Sequence, residues 1–192
     1  MHVSVDADAW IYPPVWHLAA PQYAWLQAFL PTVNRTETPW LVFYSHRALY
    51  CTKTTDGECN SEAETLRYGF LGLEYGLEAL LHEYGVDFAF AGHTHHFEAT
   101  WPVYKNASTA HSYDAPSATI YVQSGIAGTG PGGDPFDVPQ MEWESYRDTT
   151  FAASYSHLTF LDDATAHFEQ RRAADGSVIY AFDVTRARHA FA

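Results

Sequence analysis

Two short apolar runs anchor the first half of the chain, residues 40–45 (WLVFYS) and 86–91 (VDFAFA). Neither alternates cleanly with polar residues, which is the pattern of strands covered on both faces in a parallel sheet. Between them, residues 61–84 read as one long helix, with Ser61 and Glu64 spaced as a capping box and Gly85 as its stop. Strand, helix, strand in this order predicts a right-handed βαβ unit with parallel neighbours. Upstream, residues 2–7 (HVSVDA) alternate like a half-buried strand. After the Pro13-Pro14 break, residues 21–30 place Tyr23, Leu26, Phe29 and Leu30 on one helical face. Downstream the character changes. Residues 117–123, 154–161, 165–171 and 177–184 predict antiparallel strands, with turns at 162–164 and 174–176. Residues 125–139 form a Gly/Pro-rich loop too long to be a mere connector. The fold class is α/β: a parallel βαβ unit followed by an antiparallel layer.

Composition narrows the function. With 47% hydrophobic and 17% charged residues over 192 positions, the chain has the makeup of a globular domain. Its Tyr 13, Phe 12 and Trp 6 suit packed β layers. A formal charge of −13 argues against general affinity for nucleic acid or anionic lipid. No run approaches the roughly 20 apolar residues of a membrane span. A phosphate ester substrate stays open, because a bound metal pair would outweigh the distant net field. Cys51 and Cys59 lie in the loop CTKTTDGEC, spaced for a short disulfide or standing as two free thiols. The glycosylation sequons at Asn34 and Asn106 tilt the choice toward the disulfide and a secreted, extracytoplasmic protein. Residues 1–12 lack a basic segment followed by an apolar one, so the expectation is that a secreted form begins further upstream.

The chemistry sits in the histidines. His46 follows the first apolar run, and His93 and His95 follow the second after Gly92. Both sets lie just beyond the carboxyl ends of two strands expected to be parallel neighbours, the edge where open α/β sheets build their sites. Strands about 4.8 Å apart let imidazoles from that edge converge on one ion or an ion pair. An extended backbone would point His93 and His95 to one side. Metal ligation by His46, His93 and His95 is the expectation, with the metal unnamed. His96 is expected to point away from His95, at the surface or as a support behind the ligands. The remaining histidines, His2, His17, His82, His111, His157, His167 and His189, join no constellation.

At these residues the sequence resembles the purple acid phosphatases, within the calcineurin-like metallophosphoesterase superfamily. Residues 40–51 (WLVFYSHRALYC) resemble the family's strand followed by His-Arg, and residues 92–98 (GHTHHFE) its Gly-His-x-His motif. Residues 100–104, 120–130 and 151–182 extend the likeness. The resemblance implies the C-terminal half of a four-layer αββα metallophosphoesterase fold. Residues 1–150 would be half of the catalytic domain, and residues 151–192 a small C-terminal β segment. It implies that His46 and His93 bind a divalent zinc, manganese or iron(II), and that His95 binds iron(III). Arg47, Tyr50 and His96 are the candidates for supporting those ligands. The substrate would be a phosphomonoester.

The sequence also departs from that pattern. The family's bridging Asp, second Asp, metal-binding Tyr and the Asn of Gly-Asn-His have no counterpart before His46, and Asp6 and Asp8 read as structural. Three imidazoles without a bridging carboxylate do not suit two hard cations. The expectation is therefore a partial chain, inactive alone, which either pairs with a complementing N-terminal half or self-associates through an open sheet edge. A non-enzymatic structural or assembly role is the alternative. A single zinc site completed by a loop carboxylate is a weaker one. Lys53, Asp56 and Tyr50 are candidates for the leaving-group acid by position alone.

Overall fold

The computed structural model describes residues 1–53, 55, 57–70, 74–128 and 132–186. The strands in chain order are β1 (His2–Ser4), β2 (Val42–Ser45), β3 (Gly69–Phe70), β4 (Glu74–Tyr75), β5 (Phe88–Ala91), β6 (Phe97–Thr100), β7 (Val103–Tyr104), β8 (Ala107–Ser108), β9 (Ile120–Ser124), β10 (Glu144–Arg147), β11 (Ser154–Phe160), β12 (Thr165–Arg172) and β13 (Val178–Thr185). The α-helices are α1 (Asp8–Ile11), α2 (Ala19–Phe29), α3 (Ala63–Tyr68) and α4 (Leu77–Glu83).

The main sheet runs in the order β1-β2-β5-β9-β6-β10. Its first four strands are mutually parallel, and β6 pairs antiparallel with both β9 and β10. Strand alternation sorts its side chains onto two faces. Leu41, Phe43, Ala89 and Tyr121 pack with Leu26, Leu66, Leu77 and Leu81 of the helices. Val42, Phe88, Phe90, Phe97, Ile120 and Val122 pack against Ala166, Phe168, Phe182 and Val184 of the β11-β12-β13 meander. The result is three layers: helices, mixed sheet, small antiparallel sheet.

The βαβ unit, the helix after Pro13-Pro14 and the terminal meander form where the sequence pattern places them. Four expectations are corrected. Residues 61–84 are not one helix: α3 ends at Gly69, whose φ of +86° only glycine adopts without strain. A Cβ on Gly69 would also lie 1.8 Å from the Glu74 carbonyl oxygen, so the chain closes into the β3–β4 ribbon before α4 starts. The capping box does not form, since Ser61 donates instead to the Gly57 carbonyl at 3.4 Å. Finally, residues 117–123 do not join the antiparallel layer. Their strand β9 lies parallel to β5 and receives β6 on its other side. Strands β6 and β10 were not signalled at all. β2 is also not covered throughout: Tyr44 is 37% exposed, stacked on Phe90 beyond the reach of the meander.

Phe168 is fully buried between Phe90, Phe97 and Phe182 and joins the two sheets. Phe168→Ala is expected to cost about 3–5 kcal/mol in urea unfolding, from lost burial plus a cavity. On the outer face of the meander, a 2.6 Å hydrogen bond to Asp183 holds His167 above its ordinary value, with desolvation opposing it and Glu169 adding to it. The contact therefore stabilises fully below the free imidazole value of about 6.5 and fades as pH rises through the higher folded value. Histidine NMR titration should show that elevated midpoint, and Asp183→Asn should bring it down.

Candidate metal centre

Register decides what meets at the rim. Ser45 pairs with Ala91 at the last position of β2 and β5, so His46 and Gly92 leave the sheet side by side, and the Gly92 amide donates to the His46 carbonyl at 3.0 Å. The chain then folds tightly: Thr94 N bonds Gly92 O and His96 N bonds Thr94 O, each at 2.9 Å. His93 takes a φ of +68°, a left-handed conformation that costs a non-glycine residue about 1–2 kcal/mol. The surroundings enforce it. The Gln123 side-chain amide donates to the carbonyls of Gly92 and Thr94. Gly125 approaches so closely that a Cβ there would lie 2.0 Å from the Thr94 oxygen. Strain of this kind gathers at functional sites.

His46 and His93 come together as the sequence suggests. His93 Nδ1 faces His46 Nε2 at 3.0 Å, with the rings edge to face and their centroids 4.8 Å apart. Behind them, the buried Arg47 reaches His93 Nε2 with Nη1 at 2.9 Å. Its guanidinium is held by Asp8 at 2.7 Å, by Tyr12 at 2.5 Å and by Glu62. Asp8 thus acts through Arg47, in keeping with a structural reading. Glu58 Oε1 also stands 3.0 Å from His93 Nε2, and Glu58 Oε2 accepts from Thr94 Oγ1 at 3.1 Å. A carboxylate on the far nitrogen of an imidazole fixes its ring, as in the outer shells of many metal sites.

His95 goes elsewhere. The left-handed turn at His93 breaks the extended geometry that an i, i+2 pair needs. His95 Nδ1 faces Asp134 Oδ2 at 3.6 Å, and the same oxygen accepts the His95 amide at 2.7 Å. Burial pushes the Asp134 carboxyl up, but the His95 amide and the Lys53 ammonium at 3.0 Å outweigh it and hold it below its ordinary value. His96 is not a surface residue. It is fully buried, with Nε2 3.1 Å from Glu98, Nδ1 3.2 Å from the Asp134 carbonyl, and Phe136 against its ring. Tyr50 is displaced too, buried in the helix-side core with its hydroxyl on Glu78. Burial and that bond raise its pKa, and the same hydroxyl accepts the Asn106 amide at 2.9 Å. Lys53 pairs with Asp134 and Glu58. Asp56 and His189 lie outside the described residues.

Sequence reasoning missed Glu58 and Asp134. Glu58 adjoins Cys59 in the cysteine loop, and Asp134 follows the Gly132-Gly133 pair in the long loop already set apart as too long for a connector. The cysteines do form a disulfide, with Cα atoms 4.9 Å apart and sulfurs 4.0 and 3.8 Å from Thr94 Oγ1. The cross-linked loop thereby delivers Glu58 to His93.

Two nitrogens bonded at about 2.1 Å to one tetrahedral or octahedral ion stand roughly 3.0–3.4 Å apart. The 3.0 Å His46–His93 separation matches such a corner. A two-ion centre is not complete: among the described residues no group of three or more His, Cys, Asp or Glu side chains converges to hold a metal.

Replacing both cysteines with serine is expected to cost about 2–3 kcal/mol in unfolding free energy for a loop this short. It should also shift the His93 ring resonances through loss of Glu58, while those of the buried His96 stay in place.

Known proteins place this geometry. The signature described as Calcineurin-like phosphoesterase matches residues 10–97, and that of the Iron/zinc purple acid phosphatase-like protein C matches residues 118–180. The chain is 31% identical to human (Homo sapiens) acid phosphatase type 7 over 160 residues, 80% of this chain and 36% of that protein. It is 34% identical over 176 residues to "Probable inactive purple acid phosphatase 1" of Arabidopsis thaliana, covering 89% of this chain and 27% of that protein. The structure of purple acid phosphatase PPD1 from yellow lupin (Lupinus luteus) seeds superposes with a TM-score of 0.68 at 26% identity, over 88% of this chain and 29% of that one. The Plasmodium protein GAP50, at 11% identity and a TM-score of 0.63, shares the fold. The chain spans about a third of the length of the human relative. By these matches and by its fold, it belongs to the purple acid phosphatase family of calcineurin-like phosphoesterases.

Proposed function

We propose that this chain carries the histidine corner of a purple-acid-phosphatase-type phosphomonoester hydrolase, whose carboxylate ligands come from polypeptide outside these 192 residues. The observation that carries this reading is His46 Nε2 facing His93 Nδ1 at 3.0 Å on one sheet rim. In the proposed site His46 and His93 hold zinc, manganese or iron(II), and His95 holds iron(III) once it turns from Asp134. Such a pair, when bound, would polarise a phosphate ester and make hydroxide available near neutral pH. The chain's own residues do the positioning. With Nδ1 of His93 left for a metal, Nε2 carries the proton and Glu58 accepts it, Asp134 and Lys53 stand beside His95, and the disulfide steadies the loop that bears Glu58. We assign residues 1–150 to the catalytic half and residues 151–192, which include the meander, to a C-terminal β segment. The disulfide and the exposed Asn34 and Asn106 sequons fit a secreted glycoprotein.

A second reading is a non-enzymatic assembly protein. It is favoured by the names of three Arabidopsis relatives, each "Probable inactive purple acid phosphatase", and by β1, which among the described residues pairs on one side alone.

Alone, the chain is expected to hydrolyse p-nitrophenyl phosphate no faster than buffer. Supplied with the Asp-bearing N-terminal segment of a relative, it should gain turnover that a chelator removes. His46→Ala or His93→Ala should then lower that turnover beyond the roughly 10–100-fold typical of losing an outer partner. Chelator-insensitive turnover, or full activity in His46→Ala, would refute the metal reading. A metal-free, self-associating chain in sedimentation and metal analysis would select the second.

A further inference from the structure

Helix α2 is apolar on both of its faces, and the core covers one of them. Apart from Gln22 and Gln27, every residue of Ala19–Phe29 is apolar or aromatic. Ala19, Tyr23, Leu26 and Phe29 pack with Leu30 on the helix-side core. The opposite face, Pro21, Ala24, Trp25 and Ala28, is exposed, with Leu18 exposed before it and Thr32 after it. Leu18 is 38% and Trp25 48% exposed. A surface helix ordinarily turns charged residues to water, and a helix that is apolar all round is a buried one.

The exposed face has a regular geometry. Leu18, Pro21, Trp25, Ala28 and Thr32 follow one another at steps of three and four residues. That spacing draws a straight seam along a helix, the kind through which two helices pack. Trp25 is its knob, held flat against Phe29 with ring centroids 5.1 Å apart and planes 9° from parallel. One turn on, Ala28 leaves a recess. When two copies lie antiparallel about a two-fold axis, Trp25 of each sits over Ala28 of the other. The seam is therefore complementary to itself, as an isologous interface requires.

Charge selects the same occupant. The chain carries a formal charge of −13, yet residues 9–34 contain no Asp, Glu, Lys or Arg. Two copies of so acidic a chain repel wherever their charged surfaces meet, and this face is where they approach with least repulsion. It offers no carboxylate to a basic partner and no Lys or Arg to lipid headgroups.

We propose that α2 is a homodimer interface, in which two copies of this chain pack antiparallel along residues 18–32. The seam is roughly 20 Å long. It covers less than the ~800 Å² per partner of a standard interface, so the dimer is a transient one of micromolar affinity. This contact is separate from any pairing at the β1 edge. It is expected with or without metal, so its failure leaves the reading of the histidine corner untouched.

Sedimentation velocity of the full chain, disulfide intact, from about 1 μM to about 1 mM tests it. A concentration-dependent monomer–dimer equilibrium is expected. Trp25→Glu and Ala28→Glu, both at exposed positions, should each weaken it about tenfold or more with the far-UV circular dichroism unchanged. Ser4→Lys, on the open β1 edge, should leave it intact. Added salt should tighten the dimer, because it screens the repulsion and the seam holds no ion pair to weaken. A monomer throughout that range overturns the proposal. So does a dimer that Ser4→Lys or salt dissolves, or one that both helix variants leave unchanged. Trp25-dependent attachment to phosphatidylcholine vesicles in place of self-association overturns it as well.

Discussion

The structure depends on one pairing: β2 and β5 lie parallel and in register, ending together at Ser45 and Ala91. Parallel strands place both carboxyl ends at one rim, so two segments far apart in sequence deliver their imidazoles to the same point. A one-residue slip would turn Phe43 and Phe88 to the wrong faces and carry His46 away from Gly92. The two apolar clusters on either side of the sheet therefore fix the histidine corner as well as the fold.

Around that corner, charge is arranged to orient rather than to bind tightly. Arg47 joins Asp8, Tyr12 and Glu62 to the back of His93, while the disulfide loop brings Glu58 to the same nitrogen. A guanidinium only donates and a carboxylate only accepts, so Nε2 serves Arg47 as a bare nitrogen or Glu58 as an N–H, one at a time, while the opposite nitrogen faces His46. The same logic splits the predicted trio. The turn that aims His93 at His46 is left-handed, and the backbone that leaves it sends His95 to Asp134.

What the sequence made legible follows physical range. The apolar runs at 40–45 and 86–91 reveal β2 and β5, because continuous burial leaves a composition signature that no distant contact is needed to explain. The meander was legible for the same reason, with its turns at 162–164 and 174–176. The break at Gly69 was overlooked because amphipathic periodicity on both sides spans it, and the close approach of Glu74 is a contact no local pattern announces. β9 has the alternation of either sheet type, and its direction is set by β5 and β6, which are not its neighbours in sequence. His96 was misplaced for a related reason: its burial comes from Glu98, Phe136 and the Asp134 carbonyl, two of them about forty residues away. Within the site, His46 and His93 were readable from position after a strand. Glu58 and Asp134 were not, because loops bring them in.

The loop from Gly125 to Gly133 touches the histidine turn at both of its ends. A Cβ on Gly125 would lie 2.0 Å from the Thr94 carbonyl, and one on Gly133 2.4 Å from that of His95. Those two positions therefore behave as hinge pins seated on the backbone between the imidazoles. A side chain at either glycine would press on that backbone and swing the ring it carries, so the aim of His93 and His95 is guarded by two residues that have no side chain at all.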